Sequence, residues 1–126
     1  MWHACGAYTV EAFLAGKGDR ARSLFLAFVE AISQCGPVLP APAKTRVAYM
    51  VRTRFCAVER LSDRSLRAEF GLPYPLTSPR ISKVDDLKGW YVHWITINAP
   101  ADLDAELRSW LCDSYHLMGE QRRFDA

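Results

Sequence analysis

The stretch TRVAYMVRTRFCAVERLSDRSLRAEF, residues 45–70, decides the fold. Thr45, Val47, Tyr49 and Val51 alternate with Arg46, Ala48 and Met50. A strand turns successive side chains to opposite faces, so this alternation predicts a half-buried strand. RFCAVERL and SLRAEF read the same way, with Leu66, Ala68 and Phe70 opposed to Arg67 and Glu69. Ser62-Asp63-Arg64 supplies the turn between them. Arg52-Thr53-Arg54 has no Gly or Asn to take up positive φ, so a hairpin there and one long bent strand both fit. An antiparallel meander follows.

Outward from the meander, residues 71–89 hold three prolines, Pro73, Pro75 and Pro79. A connection this long inside a domain is functional or conceals a short strand, and RISKV fits such a strand. WYVHWITI, residues 90–97, is a strand with large residues on both sides, Tyr91, His93, Ile95 and Ile97 against Trp90, Val92, Trp94 and Thr96. Both of its faces must be at least partly covered. Upstream, PVLPAP lacks three N–H donors and is expected as an extended connector rather than a central strand.

Helical patterns flank the strands. Thr9 can cap a short turn in which Val10, Phe13 and Leu14 share a face, stopped by Gly16 and Gly18. From about Asp19, the residues Ala21, Leu24, Phe25, Phe28 and Ile32 form one buried stripe, ended by Gly36-Pro37. Pro100 and Asp102 introduce a last helix whose inward stripe is Leu103, Leu107, Trp110, Leu111, Ser114 and either Leu117 or Met118, terminated by Gly119. The expected fold class is α+β, a two-layer sandwich with an antiparallel sheet of four to five strands and the N- and C-terminal helices packed on one face.

Composition fits one domain spanning residues 1–126, with a short N-terminal extension 1–7 and a frayed tail 120–126. Half of the 126 residues are hydrophobic and the formal net charge is +2, far from the footprint of a strong nucleic-acid binder. No run approaches the roughly 20 apolar residues of a membrane span. The four cysteines, Cys5, Cys35, Cys56 and Cys112, are widely spaced and no export signal precedes them. Reduced thiols and a cytoplasmic location are the expectation.

YTVEAFLAGK, PAPAKTRVAYMVRTRFCAV, LRAEFGLPYPLTSPR, YVHW and APADLDAELRSWLCDSYHLMG resemble, in order and spacing, the bacterial family known as domain of unknown function 5655. Most of the chain takes part in the resemblance, which implies no particular activity. The family is distantly similar to frataxin-like iron-chaperone domains, which share a two-layer α/β sandwich. Related members carry a Cys-x-x-Cys segment leading into a His-x-Cys like His3-Ala4-Cys5, and together these make a zinc ribbon. Here two neighbouring ligands cannot close a tetrahedral shell, so His3 and Cys5 read as a remnant of a zinc motif and no metal is expected. Completion by Cys35, Cys56, Cys112, His93, His116 or a second molecule has no spacing in its favour. Iron handling of the frataxin type needs an acidic ridge of carboxylate oxygens, but Lys17, Arg20 and Arg22 balance Glu11, Asp19 and Glu30, and the following strand is basic. A shared fold would not carry that function across.

No catalytic constellation stands out and no cofactor motif is present. His93, between Tyr91 and Ile95, reads first as a packed histidine satisfied by one hydrogen bond. His116 and the group Asp102, Asp104 and Glu106 complement helix ends. What remains is a charge imbalance: Lys44, Arg46, Arg52, Arg54, Arg60, Arg64 and Arg67 outnumber Glu59 and Asp63. Arginine forks bind phosphate or carboxylate bidentately, and Trp90, Tyr91 and Trp94 offer stacking surfaces. The same arginines equally suit a solubilised sheet edge or ion pairs with the acidic last helix. The expected function is a non-enzymatic binding or interaction domain recognising an anionic ligand or nucleic acid, with Lys44, Arg46, Arg52, Arg54, Trp90 and His93 as ligand-binding candidates. A small enzyme with a pocket around His93 and Lys44 or Arg46 is the alternative. A monomer and a homodimer paired through an edge strand both fit.

Overall fold

The computed structural model describes residues 8–121, so His3, Cys5 and the expected N-terminal extension lie outside the described residues. Three α-helices, α1 (Val10–Leu14), α2 (Asp19–Ser33) and α3 (Ala105–Ser114), accompany six strands among the described residues. The strands are β1 (Leu39–Pro42), β2 (Val47–Met50), β3 (Arg54–Leu61), β4 (Leu66–Leu72), β5 (Ile81–Asp86) and β6 (Tyr91–Ile97). All neighbours are antiparallel, in the order β1-β2-β3-β4-β6-β5.

The sheet therefore has six strands where four to five were expected, and the additional one is the proline-rich β1. Backbone N–H groups alternate sides along a strand, so Pro40 and Pro42 share one side while Leu39 and Ala41 share the other. The neighbouring odd residue, Ala43, donates to the Arg46 carbonyl at 2.8 Å, which identifies the side that faces β2. The two missing donors thus point away from the sheet, where an edge strand tolerates them. RISKV is a strand, as expected, and continues to Asp86. Lys88 (φ 56) and Gly89 (φ 110) then turn the chain within two residues, with the Leu87 amide donating to the Trp90 carbonyl at 2.9 Å. Residues 52–54 form a hairpin turn, closed by the Val51 amide on the Thr53 carbonyl and held by the Arg52 and Thr53 amides on the Gly119 carbonyl.

Helix α2 buries the stripe expected of it, Ala21, Leu24, Phe25, Phe28, Ala31 and Ile32. Its start has no side-chain cap from Gly18, and instead Asp63 in the β3–β4 turn accepts from the Ala21 amide at 2.9 Å. A distant turn thereby fixes where the helix begins. Helix α3 starts later than expected. Asp102 closes a short 3₁₀ turn by accepting from the Asn98 and Ala99 amides, and Asp104 is the residue that caps α3 through the Leu107 amide at 3.1 Å. After Ser114 the chain widens into a π turn, Tyr115–Gly119, which buries Met118 and leaves Leu117 outside. The extra residue per turn decides between the two candidates for the end of the stripe. Trp110 is half-buried rather than enclosed, with its ring against Phe70 at 6.2 Å.

The expectation of reduced thiols is wrong for two of the four cysteines. Cys35, just after α2, is bonded to Cys112 in α3 across 77 residues. Sequence spacing hides this pairing because it arises from helix packing, which brings the two Cα atoms to 5.3 Å. The bond withdraws the argument for a reducing compartment, since disulfides persist where the surroundings are oxidising. Cys56 is the free cysteine among the described residues and is buried. Among the described residues, no helix is long and apolar enough to cross a membrane.

Candidate functional site

The strand register divides the functional candidates between two faces. Val47, Val58, Ala68, Ile95 and Ile81 lie in one row across the sheet, and Tyr49, Cys56, Phe70, His93 and Val84 in a second. Cross-strand partners share a face, and most of these residues join one core with the stripes of α2 and α3. The row between them, Ala48, Ala57, Glu69, Trp94 and Lys83, belongs to the opposite face.

His93 is thus separated by the sheet from Arg46, which stands two residues before Ala48. It is fully buried and stacked on Phe70 at 5.0 Å with the rings 10° apart. Its Nε2 accepts from the Leu76 amide at 3.0 Å, which places the proton of the neutral ring on Nδ1. Nδ1 has no hydrogen-bond partner. Burial lowers the pKa, opposed by the nearby carbonyls of Phe70 and Tyr91. The histidine fastens the proline-rich connection to β6. It does not meet Lys44 or Arg46.

On the opposite face the Trp90 ring packs on the backbone of Gly71, and charged side chains with two tryptophans border two concavities. A groove of about 1060 Å³ contains Lys44, Arg60, Arg67, Lys83 and Trp94, with Lys17 beyond α1. A smaller pocket of about 380 Å³ contains Arg46, Arg54, Glu69, Asp85, Trp90 and Trp94. Trp94 borders both. Of the six ligand-binding candidates, Arg46, Arg54 and Trp90 meet in the smaller pocket and Lys44 lines the larger groove. Arg52 is exposed at the hairpin turn and borders neither space.

Trp94 organises the charges. The Arg67 guanidinium lies 4.9 Å and the Lys83 ammonium 5.5 Å from its ring centre, while its Nε1 donates to Asp85 at 2.9 Å. Lys83 also pairs with Asp85 at 3.5 Å. Both cations are held by the ring's electron-rich face rather than left to sample many rotamers. The basic residues do not pair with the last helix as the alternative reading had it; Arg80, outside the basic stretch, is the one that binds Asp104 and Glu106.

Arg46 sits between two carboxylates, 3.2 Å from Glu59 and 3.7 Å from Glu69. A bulge after Val58 leaves Glu59 without a cross-strand partner and directs it to this face. The Glu59 and Glu69 side chains are only 17% and 16% exposed. Burial pushes the Glu69 carboxyl up to about 7, reinforced by the charge and hydrogen bond of Glu59 and by Asp85, with Arg46 pulling it down. In the unfolded chain the same carboxyl titrates near its ordinary 4.5, so the folded protein takes up a proton between about 4.5 and about 7. The resulting stabilisation is complete below that window and lost as pH rises through it. Glu69→Gln is therefore expected to melt above the wild type at about pH 8 and level with it at about pH 4.5. A melting difference that grows toward acid would contradict the assignment.

None of Glu59, Glu69, Lys83 and Asp85 was among the ligand-binding candidates of the sequence. Their signal is weak, since a carboxylate pair across neighbouring strands shows only once register is known. Among the described residues, no group of three or more His, Cys, Asp and Glu side chains is placed to hold a metal ion.

The chain belongs to the family described as a domain of unknown function (DUF5655), whose family model matches residues 10–118. That range includes every groove residue named above and begins after His3 and Cys5. No curated protein and no solved structure matches the chain, and the likeness to frataxin-like domains is not shown.

Proposed function

We propose that the chain is a non-enzymatic binding domain, a two-layer sandwich in which α2 and α3 cover one sheet face and the other receives an anionic ligand. One observation carries this reading: Lys17, Lys44, Arg60, Arg67 and Lys83 line the larger groove against a single carboxylate, Glu59. Like charges gathered around one concavity repel one another unless something of opposite sign is bound. Arg67 and Lys83 are ordered in advance by Trp94, which reduces the entropy lost when they engage a ligand. The chemistry they suit is a phosphate or sulfate group, bidentate on the arginines and a point-charge contact on the lysines.

The partner moves relative to the first expectation. Arg46 is already engaged by Glu59 and Glu69, and Arg52 borders no concavity, so the weight falls on Lys44, Arg60, Arg67 and Lys83. Binding to a heparin-derived oligosaccharide, a single-stranded DNA and inorganic phosphate separates the sources of the anion. For the best of these, log affinity is expected to fall linearly with log salt, as counterions are released. Lys44→Glu combined with Arg60→Glu should weaken binding at least about tenfold and flatten the salt slope by about two charges. Arg52→Glu should leave both nearly unchanged. Wild-type affinity in the double variant, or no binding to any of the three probes, overturns the reading.

A further inference from the structure

Between the larger groove and the smaller pocket stands a group whose charge does not balance. Glu59 lines the first space and Glu69 the second, with Arg46 between them at 3.2 and 3.7 Å. One guanidinium neutralises one carboxylate. The second negative charge remains on a side chain largely withdrawn from water, where desolvation makes it costly. Glu59 Oε2 is buried with the Arg46 guanidinium as its ion-pair partner at 3.2 Å, and Arg67 Nε, on the same face, is buried without a hydrogen-bond partner. One donor of the basic groove is thus left unmatched beside the carboxylate pair.

Resting on the anion-binding reading, we infer that this groove takes up its anion together with a proton, held by the Glu59–Glu69 pair. An anion among Lys44, Arg60, Arg67 and Lys83 adds negative charge beside Glu59. When the pair is doubly ionised the two repel, and when it carries one proton the pair and Arg46 together are neutral. By reciprocity, an anion that favours the protonated pair is bound more tightly by it. The groups around Glu69 are Arg46 on β2, Glu59 on β3 with Arg54 lining the same pocket, Arg67 on its own strand, Asp85 with Lys83 on β5, and Trp94 on β6, with the buried Cys56 thiol on the opposite side of β3. Burial pushes the Cys56 thiol well above its ordinary range, which leaves Glu69 as the group here that titrates near neutrality. His93 is on the other face of the sheet. The carboxyl of Glu69, raised to about 7, supports the geometry by placing the exchange where an ordinary change of pH reaches it.

The probe is a heparin-derived oligosaccharide, because its sulfate charges stay constant over the range, unlike those of inorganic phosphate. Calorimetry in two buffers of different ionisation enthalpy reads the protons taken up on binding. At about pH 8 the wild type should take up close to one proton per site, at about pH 5 close to none, and affinity should fall up to about tenfold per pH unit above neutrality. Glu69→Gln should abolish the uptake and bind at about pH 8 as tightly as the wild type does at about pH 5, with Glu59→Gln as the second variant should the first fail to fold. Oligosaccharide binding of equal strength at both pH values without proton uptake overturns this inference and leaves the anion reading standing. Uptake that survives in both variants overturns it as well. No binding by the wild type at either pH removes the anion reading and this inference with it.

Discussion

Phe28→Ala lowers the unfolding free energy by about 3 to 5 kcal/mol. The ring is fully enclosed, on the α2 stripe between Leu24, Phe25, Ala31 and Ile32, in the same core as Phe70 and Leu111. Its loss removes apolar surface from burial and leaves a cavity that the packed strands beneath cannot close. Measured against a domain stability of about 5 to 15 kcal/mol, that is a large fraction of the total. The melting midpoint should drop by roughly 10 to 20 °C. Leu26→Ala is the matched control, because Leu26 is on the same helix and 63% exposed. It should change stability by no more than about 0.5 kcal/mol. Equal losses in the two variants would mean that α2 does not present this stripe to the sheet.

Removing the Cys35–Cys112 bond is the second large effect. The bond closes a loop with a sequence separation of 77, so it forbids many conformations to the unfolded chain. A chain-entropy treatment gives about 4 to 5 kcal/mol for a loop of that length, and native bonds in small domains are commonly worth about 2 to 5. Around it, Arg108 donates to Gln34, and the Tyr115 hydroxyl donates to the Pro37 carbonyl at 2.8 Å. These contacts hold α2 and α3 together without the bond, so the fold should survive its removal with a lower midpoint. Cys35→Ser with Cys112→Ser and the wild type in strong reductant should melt alike, both well below the oxidised protein. A midpoint indifferent to reductant would show that the bond is not contributing.

The elements that the sequence made legible are those whose own side chains carry the period. The stripe of α2 and the alternation of β2, β4 and β6 were readable because burial there is decided strand by strand and turn by turn. Strand β1 was hidden by its prolines, which argue against a central strand but are silent about an edge. The turn at Lys88-Gly89 lacks the Asn-Gly or Asp-Gly pair that marks such hairpins, so β5 and β6 looked farther apart than they are. For the candidate groove, Lys44, Arg46, Arg54 and Trp90 were visible as basic and aromatic residues near the meander. The separation of His93 from them was not, because it depends on the register that sets His93 opposite Phe70 and Trp94 opposite Glu69. A one-residue difference in strand position sends the two side chains to opposite faces. The Arg46–Glu59–Glu69 group needs three strands and one bulge to assemble, and no short motif encodes it.

The proposal that the sheet face opposite His93 is the binding surface is tested most directly by following backbone amide resonances while a heparin-derived oligosaccharide is added at low salt. Shifts should concentrate at residues 44–46, 59–67, 83 and 94, with the amides of α2 and α3 little changed and the whole response suppressed by added salt. A response centred on the helices, or saturation with no movement at Arg60, Arg67 and Trp94, would contradict the account.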